Sequence, residues 1–336
     1  MRNLYYDILK GIAILFVIAI HTYPVNSTPM PLTISPDCLL NGVSLILRQF
    51  IVVAVPLFCT ISGFFIGTKS KDESIVFAKT HALPLYIPTL IWSLPFILYD
   101  IYKGIGTIGL RIFKYFCCGY SIHYFIAIML QFYLVMPFLV NTRNKTQLSI
   151  ATIISLFSIG VFSYLMYVKG MNIPLYIYAG TLPIWIMFFC LGIYLSKKKR
   201  NYNLQLLFVS AFIFLLLSLI ETVYYINNYD QLSGIGYKIT SFMFSFFLIL
   251  ILMSKKIETS INQSINQSTI AKCLAWLGKN SLGLYFIHYP LLVFILCHIR
   301  TTWITEFALS LVISIMVIIF VKRFFPKRVT ALLGFR

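Results

Sequence analysis

Long apolar runs separated by short polar stretches occupy nearly the whole chain. Many approach the roughly 20 residues at about 1.5 Å each that cross a bilayer, so they predict membrane-spanning α-helices. About ten are expected, over residues 4–24, 43–67, 82–101, 120–140, 148–168, 178–196, 203–222, 237–254, 279–298 and 304–324. The first run is unusual. In "DILKGIAILFVIAIHTYP", only Gly11 to Ile20 separate Lys10 from His21, too few residues to span hydrocarbon by themselves.

Composition supports a lipid setting. Of 336 residues, 60% are hydrophobic and 11% charged, and the mean hydropathy is +0.88, more apolar surface than a soluble domain of this size can bury. The net charge of +18 would suit nucleic acid only if it formed a concentrated basic patch. Instead, one set of alternate loops and helix ends carries 20 of the 27 lysines and arginines. These run from Arg2 and Lys10 through Lys197–Arg200 to Lys322–Arg336, and the opposite set holds Arg48, Lys103, Arg111, Lys114, Lys169, Lys238 and Arg300. The positive-inside rule then places both termini in the cytoplasm, as an even number of spans requires. Nucleic-acid binding is excluded on this pattern, and anionic inner-leaflet lipid is an expected contact.

The expected architecture is therefore an all-α polytopic membrane protein, a single membrane domain over residues 1–336. The N-terminal run lacks a small-x-small cleavage site and is expected to be retained. The longest hydrophilic stretch, Lys255 to Lys272 with its "INQSINQS" repeat, is expected to be a short polar loop, with no soluble domain appended. Seven cysteines without CxxC or Cys/His ligand spacing argue against a disulfide framework or a metal site. Such an architecture fits a transporter, a channel or an enzyme equally well.

Ionisable residues inside the runs narrow the choice, because lipid excludes them unless they face a cavity or a partner. Lys10 and His21 lie eleven positions apart, which returns to within about 20° of one helix face and separates them by about 16 Å along the axis. Asp7, one turn before Lys10, can pair with it. Each has a plainer reading: a lysine near a helix start snorkels as a topology anchor, and a histidine near a span end sits at the interface. In "LILRQFIVVAVPLFCTISGFFIG", Arg48 and Ser62 are fourteen residues apart, Pro56 is placed to bend the helix, and Gly63 allows close approach. Gln131 lies two turns beyond His123, on nearly the same face, and can hydrogen-bond across the bundle. In "WLGKNSLGLYFIHYPLL", Asn280 or Ser281 can cap the helix start, and His288 is expected to be a buried, hydrogen-bonded structural residue.

These segments resemble acyltransferase family 3. "DILKGIAILFVIAIH" is similar to that family's first-helix signature, an acidic residue, then Arg or Lys, ten residues and His. "VPLFCTISGFFI" resembles its Pro-Leu-Phe and Ser-Gly-Phe pattern, "IHYFIAIMLQFYLVMPFL" its His-x-Trp-Phe helix, and "WLGKNSLGLYFIHYPLL" its Gly-Lys-x-Ser…Tyr-x-x-His segment. The four occur in order over residues 5 to about 295. Lysine stands at position 10 where the family usually has arginine, and His-Tyr-Phe stands for His-x-Trp-Phe.

The resemblance implies a multi-pass O-acetyltransferase of the bacterial cytoplasmic (inner) membrane. Such an enzyme takes acetyl from cytoplasmic acetyl-CoA, a donor substrate and not a bound cofactor. It delivers the group to a hydroxyl of a cell-surface or exported glycan, or of a lipid-linked saccharide. It implies His21 as the catalytic histidine, Lys10 with Asp7 at the acyl-CoA, and Arg48, His123 and Ser62 towards the acceptor. The alternative is a transporter or exporter of a glycan or small solute. Against it stand the absence of an inverted repeat and the few carboxylates within the spans.

Overall fold

The computed structural model describes residues 3–22, 45–142, 144–229, 238–264, 268–298 and 302–335, and these are helical with no strand among them. In chain order the helices are α1 (Leu4–Thr22), α2 (Leu45–Gly67), α3 (Lys71–Tyr102), α4 (Ile108–Phe116), α5 (Ser121–Asn141), α6 (Lys145–Val168) and α7 (Leu175–Leu195). They continue with α8 (Leu204–Asn228), α9 (Ile239–Leu252), α10 (Lys255–Ser264), α11 (Thr269–Lys279), α12 (Ser281–Phe294), α13 (Trp303–Phe324) and α14 (Lys327–Leu332). Among the described residues, eight helices are long and apolar enough to cross a bilayer, or up to nine if α9 and the polar α10, bent by 53° to each other, are taken as one span. This is a multi-pass membrane protein. Every predicted run holds a helix, but the run 279–298 yields only the 14 residues of α12 before its helix ends.

Two boundaries differ from expectation for local reasons. α3 begins at Lys71, eleven residues before the apolar run, because a capping box starts it. Ser70 Oγ accepts from the Glu73 amide at 3.2 Å, and Glu73 Oε2 accepts from the Ser70 amide at 2.6 Å. The stretch 255–272 is not a loop: α10 and the start of α11 occupy most of it. Its polar residues form amphipathic helices on the membrane domain.

Breaks within the spans also have identifiable causes. α2 opens into a turn at Val52–Val53, where Pro56 supplies no N–H and its ring crowds the carbonyl four residues earlier. α7 is interrupted between Tyr178 and Leu182. Gln131 of α5 fills that gap, donating to the Gly180 carbonyl at 2.7 Å and accepting from the Leu182 amide at 2.9 Å. In lipid the freed backbone groups have no water to turn to, so a side chain must meet them.

Helices in lipid gain nothing from hiding apolar surface from tails equally apolar, so close backbone packing has to hold them together. Two contacts carry it here. A Cβ on Gly63 of α2 would fall 2.9 Å from the Phe189 carbonyl carbon of α7, and one on Gly192 of α7 would fall 2.9 Å from the Gly63 carbonyl carbon. A Cβ on Gly278 of α11 would fall 2.7 Å from the Asp7 carbonyl carbon, and one on Gly11 of α1 would fall 2.8 Å from that of Leu274.

Charged groups buried in the bundle are held by several partners at once. Lys238, 0% exposed, donates to Gln49 Oε1 (3.3 Å), to the Ser218 carbonyl (3.1 Å) and to Thr222 Oγ1. At the other set of helix ends, Arg200 donates to Glu258 Oε2 (2.6 Å), the Tyr6 hydroxyl (3.0 Å) and the Met253 carbonyl (2.9 Å). Asn3 donates to Glu258 Oε1 at 2.7 Å. This clasp joins α1, the α7–α8 connection and the bend between α9 and α10. Burial pushes the Glu258 carboxyl up, but Arg200, helped by Asn3 and Lys255, more than offsets this and holds it below its ordinary value.

Two outcomes follow from these contacts. Gly278→Ala inserts a methyl where α1 and α11 touch and should destabilise the folded protein by about 1–3 kcal/mol. Its thermal midpoint in detergent should fall clearly below that of Gly160→Ala, whose Cβ would meet only the Ile239 Cδ1 atom at 3.7 Å. Glu258 contributes stability that is complete above its ordinary pKa near 4.5 and is lost as pH falls through the lowered native value. Glu258→Gln should therefore flatten the decline of the thermal midpoint below pH 4.5, and an unchanged slope would exclude the clasp as its source.

Candidate functional site

α1 forms the wall on which the site is built. Lys10, Ile14, Val17 and His21 recur every three or four residues, so they make one stripe along the helix. All four line a single cavity of about 290 Å³. The two polar ends of the opening segment thus face one space, with an apolar wall between them. Opposite α1 stand Val55, Phe58 and Ser62 of α2, part of α5 including Ile122 and Met129, and Leu282 and Tyr285 of α12.

Cations gather at one end. The α1–α11 contact brings Gly278 to the cavity wall, and Lys279 and Ser281 line it with Lys10. The Lys10 Nζ lies 5.2 Å from the centroid of the Phe65 ring, a favourable cation–π placement. Lys279 is exposed, which brings this end of the cavity to the surface.

The other end is built around the last turn of α1. Terminal carbonyls of a helix lack intrahelical partners, and cations stabilise that end. Arg48 of α2, 9% exposed, donates from Nη1 to the Ile20 carbonyl at 3.3 Å. The Thr22 hydroxyl donates to the Ile18 carbonyl at 3.2 Å. The turn that carries His21 is thus fixed by a guanidinium from a neighbouring helix. The His21 ring packs against α12, its centroid 5.5 Å from that of His288 and 5.1 Å from that of Tyr289, which meets it edge-on. His288 is buried, as expected, and bonded through Nδ1 to the Leu284 carbonyl at 3.0 Å.

The structure therefore brings Lys10, His21 and Ser62 to one cavity. Arg48 reaches the backbone of that site, not its lining. Of the pair Arg48 and Ser62, only Ser62 lines the cavity, and the turn at Val52–Val53 interrupts the helix between them. Asp7 is 2% exposed and lies where α1 meets α11, outside the cavity lining. His123 is 0% exposed, and its Nδ1 lies 2.8 Å from Ser93 Oγ; its neighbours Ile122 and Tyr124 line the cavity in its place. It closes the 3₁₀ turn Ser121–His123, ahead of the regular helix.

Lys279, Ser281 and Tyr285 belong to the motif that carries the resemblance, but the sequence assigned them no place in the site, which they line. They lie in "WLGKNSLGLYFIHYPLL", whose polar positions suggested caps. Asn280 makes no such cap: its Oδ1 accepts from Lys322 Nζ at 2.7 Å and its Nδ2 donates to the Trp276 carbonyl at 2.8 Å. Tyr285 donates its hydroxyl to the Ile122 carbonyl and so ties α12 to the start of α5. The whole is a narrow apolar chamber, cationic at one end and with an imidazole at the other. It can hold an extended molecule with an anionic head and present its far end to a base or nucleophile.

A family model described as an acyltransferase domain matches residues 3–323. No curated protein and no solved structure matches the chain.

The Arg48 contact is open to a direct test. Arg48→Ala removes a charged donor from the end of α1, worth about 1 kcal/mol. Backbone amides over residues 19–22 should exchange hydrogen about fivefold faster, while those over residues 8–14 stay unchanged. Equal protection in both proteins would mean that the guanidinium does not hold this turn.

Proposed function

The chain belongs to acyltransferase family 3 and is a multi-pass membrane acyltransferase, and from this we propose that it moves an acetyl group from acetyl-CoA to a hydroxyl of a cell-surface or exported glycan. One observation carries the reading: Lys10 and His21 occupy opposite ends of one cavity with apolar walls between. Lys10, with Lys279 beside it, is suited to the phosphates of the donor, as a point charge and not as a bidentate fork. The pantetheine arm would lie along Ile14 and Val17, bringing the thioester towards His21.

In the transfer, the uncharged imidazole of His21 takes the proton of the acceptor hydroxyl as its oxygen attacks the thioester carbonyl. The carbon–sulfur bond then breaks, and the departing thiolate takes the proton back, leaving acetyl ester and CoA thiol. General-base assistance of this kind typically contributes 10²–10⁴-fold. In the variant route, His21 is acylated first and then gives the group to the hydroxyl. Ser62 lies on the wall opposite α1, one turn before the Phe65 that meets Lys10, so it would hydrogen-bond the donor and not the acceptor. Arg48 acts through the turn it holds.

The biased lysines and arginines support cytoplasmic termini in a bacterial inner membrane. The Lys10 end then faces the cytoplasm, where the CoA thioester is available. A sugar hydroxyl as acceptor rests on the resemblance in the four motifs, with a lipid-linked saccharide as the form that meets the bundle.

His21→Ala should reduce transfer of label from [¹⁴C]acetyl-CoA to the membrane glycan fraction by at least a hundredfold, at equal protein level and membrane insertion. Mass spectrometry of surface glycans should show the matching loss of an acetyl ester. Full labelling by this variant would refute the assignment.

A further inference from the structure

We infer that His288 is a positioning residue for this reaction: the lone pair of its Nε2 accepts the N–H of His21 and leaves the other His21 nitrogen as the base. The inference rests on the reading of His21 given above. It starts from a tautomer that the structure determines. The Leu284 carbonyl can only accept, so the His288 Nδ1, 3.0 Å away, carries the proton. In the uncharged ring, Nε2 is then an acceptor. That atom is buried and has no hydrogen-bond partner. A buried acceptor left unmet is costly and calls for a role.

Of the side chains around it, His21 is the one proposed as donor. The His21 ring is the nearest of those flanking His288, with centroids at 5.5 Å against 6.1 Å for Tyr285 and 6.3 Å for Tyr289. The Tyr285 hydroxyl already donates to the Ile122 carbonyl. Two imidazoles joined by an N–H···N bond of about 3 Å have centroids roughly 5 Å apart. A small turn of the His21 ring therefore closes the bond. His288 itself does not line the cavity, whereas His21 and Tyr285 do. It stands behind His21, away from the substrates, and acts through it.

The consequence is chemical. With one nitrogen committed to His288, His21 turns its other nitrogen towards the cavity as a lone pair. When that nitrogen takes the hydroxyl proton, the positive ring is stabilised by the His288 lone pair. His288 keeps its own proton on Nδ1 throughout, so no proton is gained or lost there. The same orientation serves if His21 is acylated.

The test uses the full-length protein in nanodiscs with [¹⁴C]acetyl-CoA and the glycan fraction of producing membranes, comparing wild type with His288→Leu, His288→Gln and His21→Ala. His288→Leu should lose about a hundredfold in maximal rate, with the KM for acetyl-CoA within twofold and the thermal midpoint unchanged. His288→Gln places an amide oxygen near the former Nε2 and should recover to within tenfold of wild type. It should also retain the acid limb of the pH–rate profile, because the base is still His21. The inference is overturned if His288→Leu keeps a third of the wild-type rate, if its loss lies in KM, or if Gln is no better than Leu. Loss of the acid limb in the Gln variant would also overturn it, since His288 would then be the base. If the Leu variant does not accumulate, the rate and pH profile of the Gln variant decide. An active His21→Ala overturns the underlying reading; an inactive His21→Ala beside an active His288→Leu overturns this inference alone.

Discussion

The backbone contact between α1 and α11 is the constraint on which the site depends. Gly278 meets the Asp7 carbonyl and Gly11 meets that of Leu274, with no room for a Cβ at either place. Because lipid gives helices no reason of its own to associate, an approach this close sets their register as well as their distance. That register brings Lys279 beside Lys10. It also sets the start of α12, which carries Tyr285 to the cavity and His288 to the back of His21. A larger residue at either glycine would therefore separate both ends of the site at once.

The second organising rule is that polar groups in hydrocarbon need partners within the protein. The bundle obeys it at the break in α7 and at the end of α1. Gln131 meets both sides of the break in α7, and Arg48 holds the end of α1. Lys238 is received by three oxygens. A few buried side-chain atoms stay unmet, and the Nε2 of His288 is among them. It lies beside the one histidine that borders both the cavity and the end of its helix.

Much of this was legible in the chain, and the failures have physical causes. Helical periodicity placed Lys10 and His21 on one face, and both do face one cavity, because α1 is unbroken between them. From Arg48 to Ser62 that arithmetic assumed an unbroken helix, and a turn at Val52–Val53, just before Pro56, interrupts it. The Pro56 bend itself was expected, and so was the reach of Gln131. The early start of α3 was written in Ser70 and Glu73, but its charged first turn hid it from an apolar criterion. The place of Lys279 and Ser281 in the cavity wall was not foreseen, because they flank a junction, where periodicity restarts and only packing decides which way a side chain points. The polar helices α10 and α11 were hidden for a similar reason: their place depends on Arg200, Asn3 and the backbone at Asp7, all remote in sequence.

A neutral orienting group suits this setting better than a charged one. In soluble hydrolases a carboxylate often orients the catalytic histidine, and water and nearby donors meet its remaining lone pairs. Within a bilayer an ionised carboxylate carries a large desolvation cost, offset only by a full set of hydrogen bonds or a paired cation. An imidazole whose Nδ1 proton is committed to a helix carbonyl offers a directed lone pair with no charge to desolvate. The helix supplies the tautomer through a bond that already lies within its own turn, from Leu284 to His288. The position of His288 one turn beyond Tyr285 then needs no further polar machinery: the residue that lines the cavity and the residue that orients its base are set by the same stretch of α12.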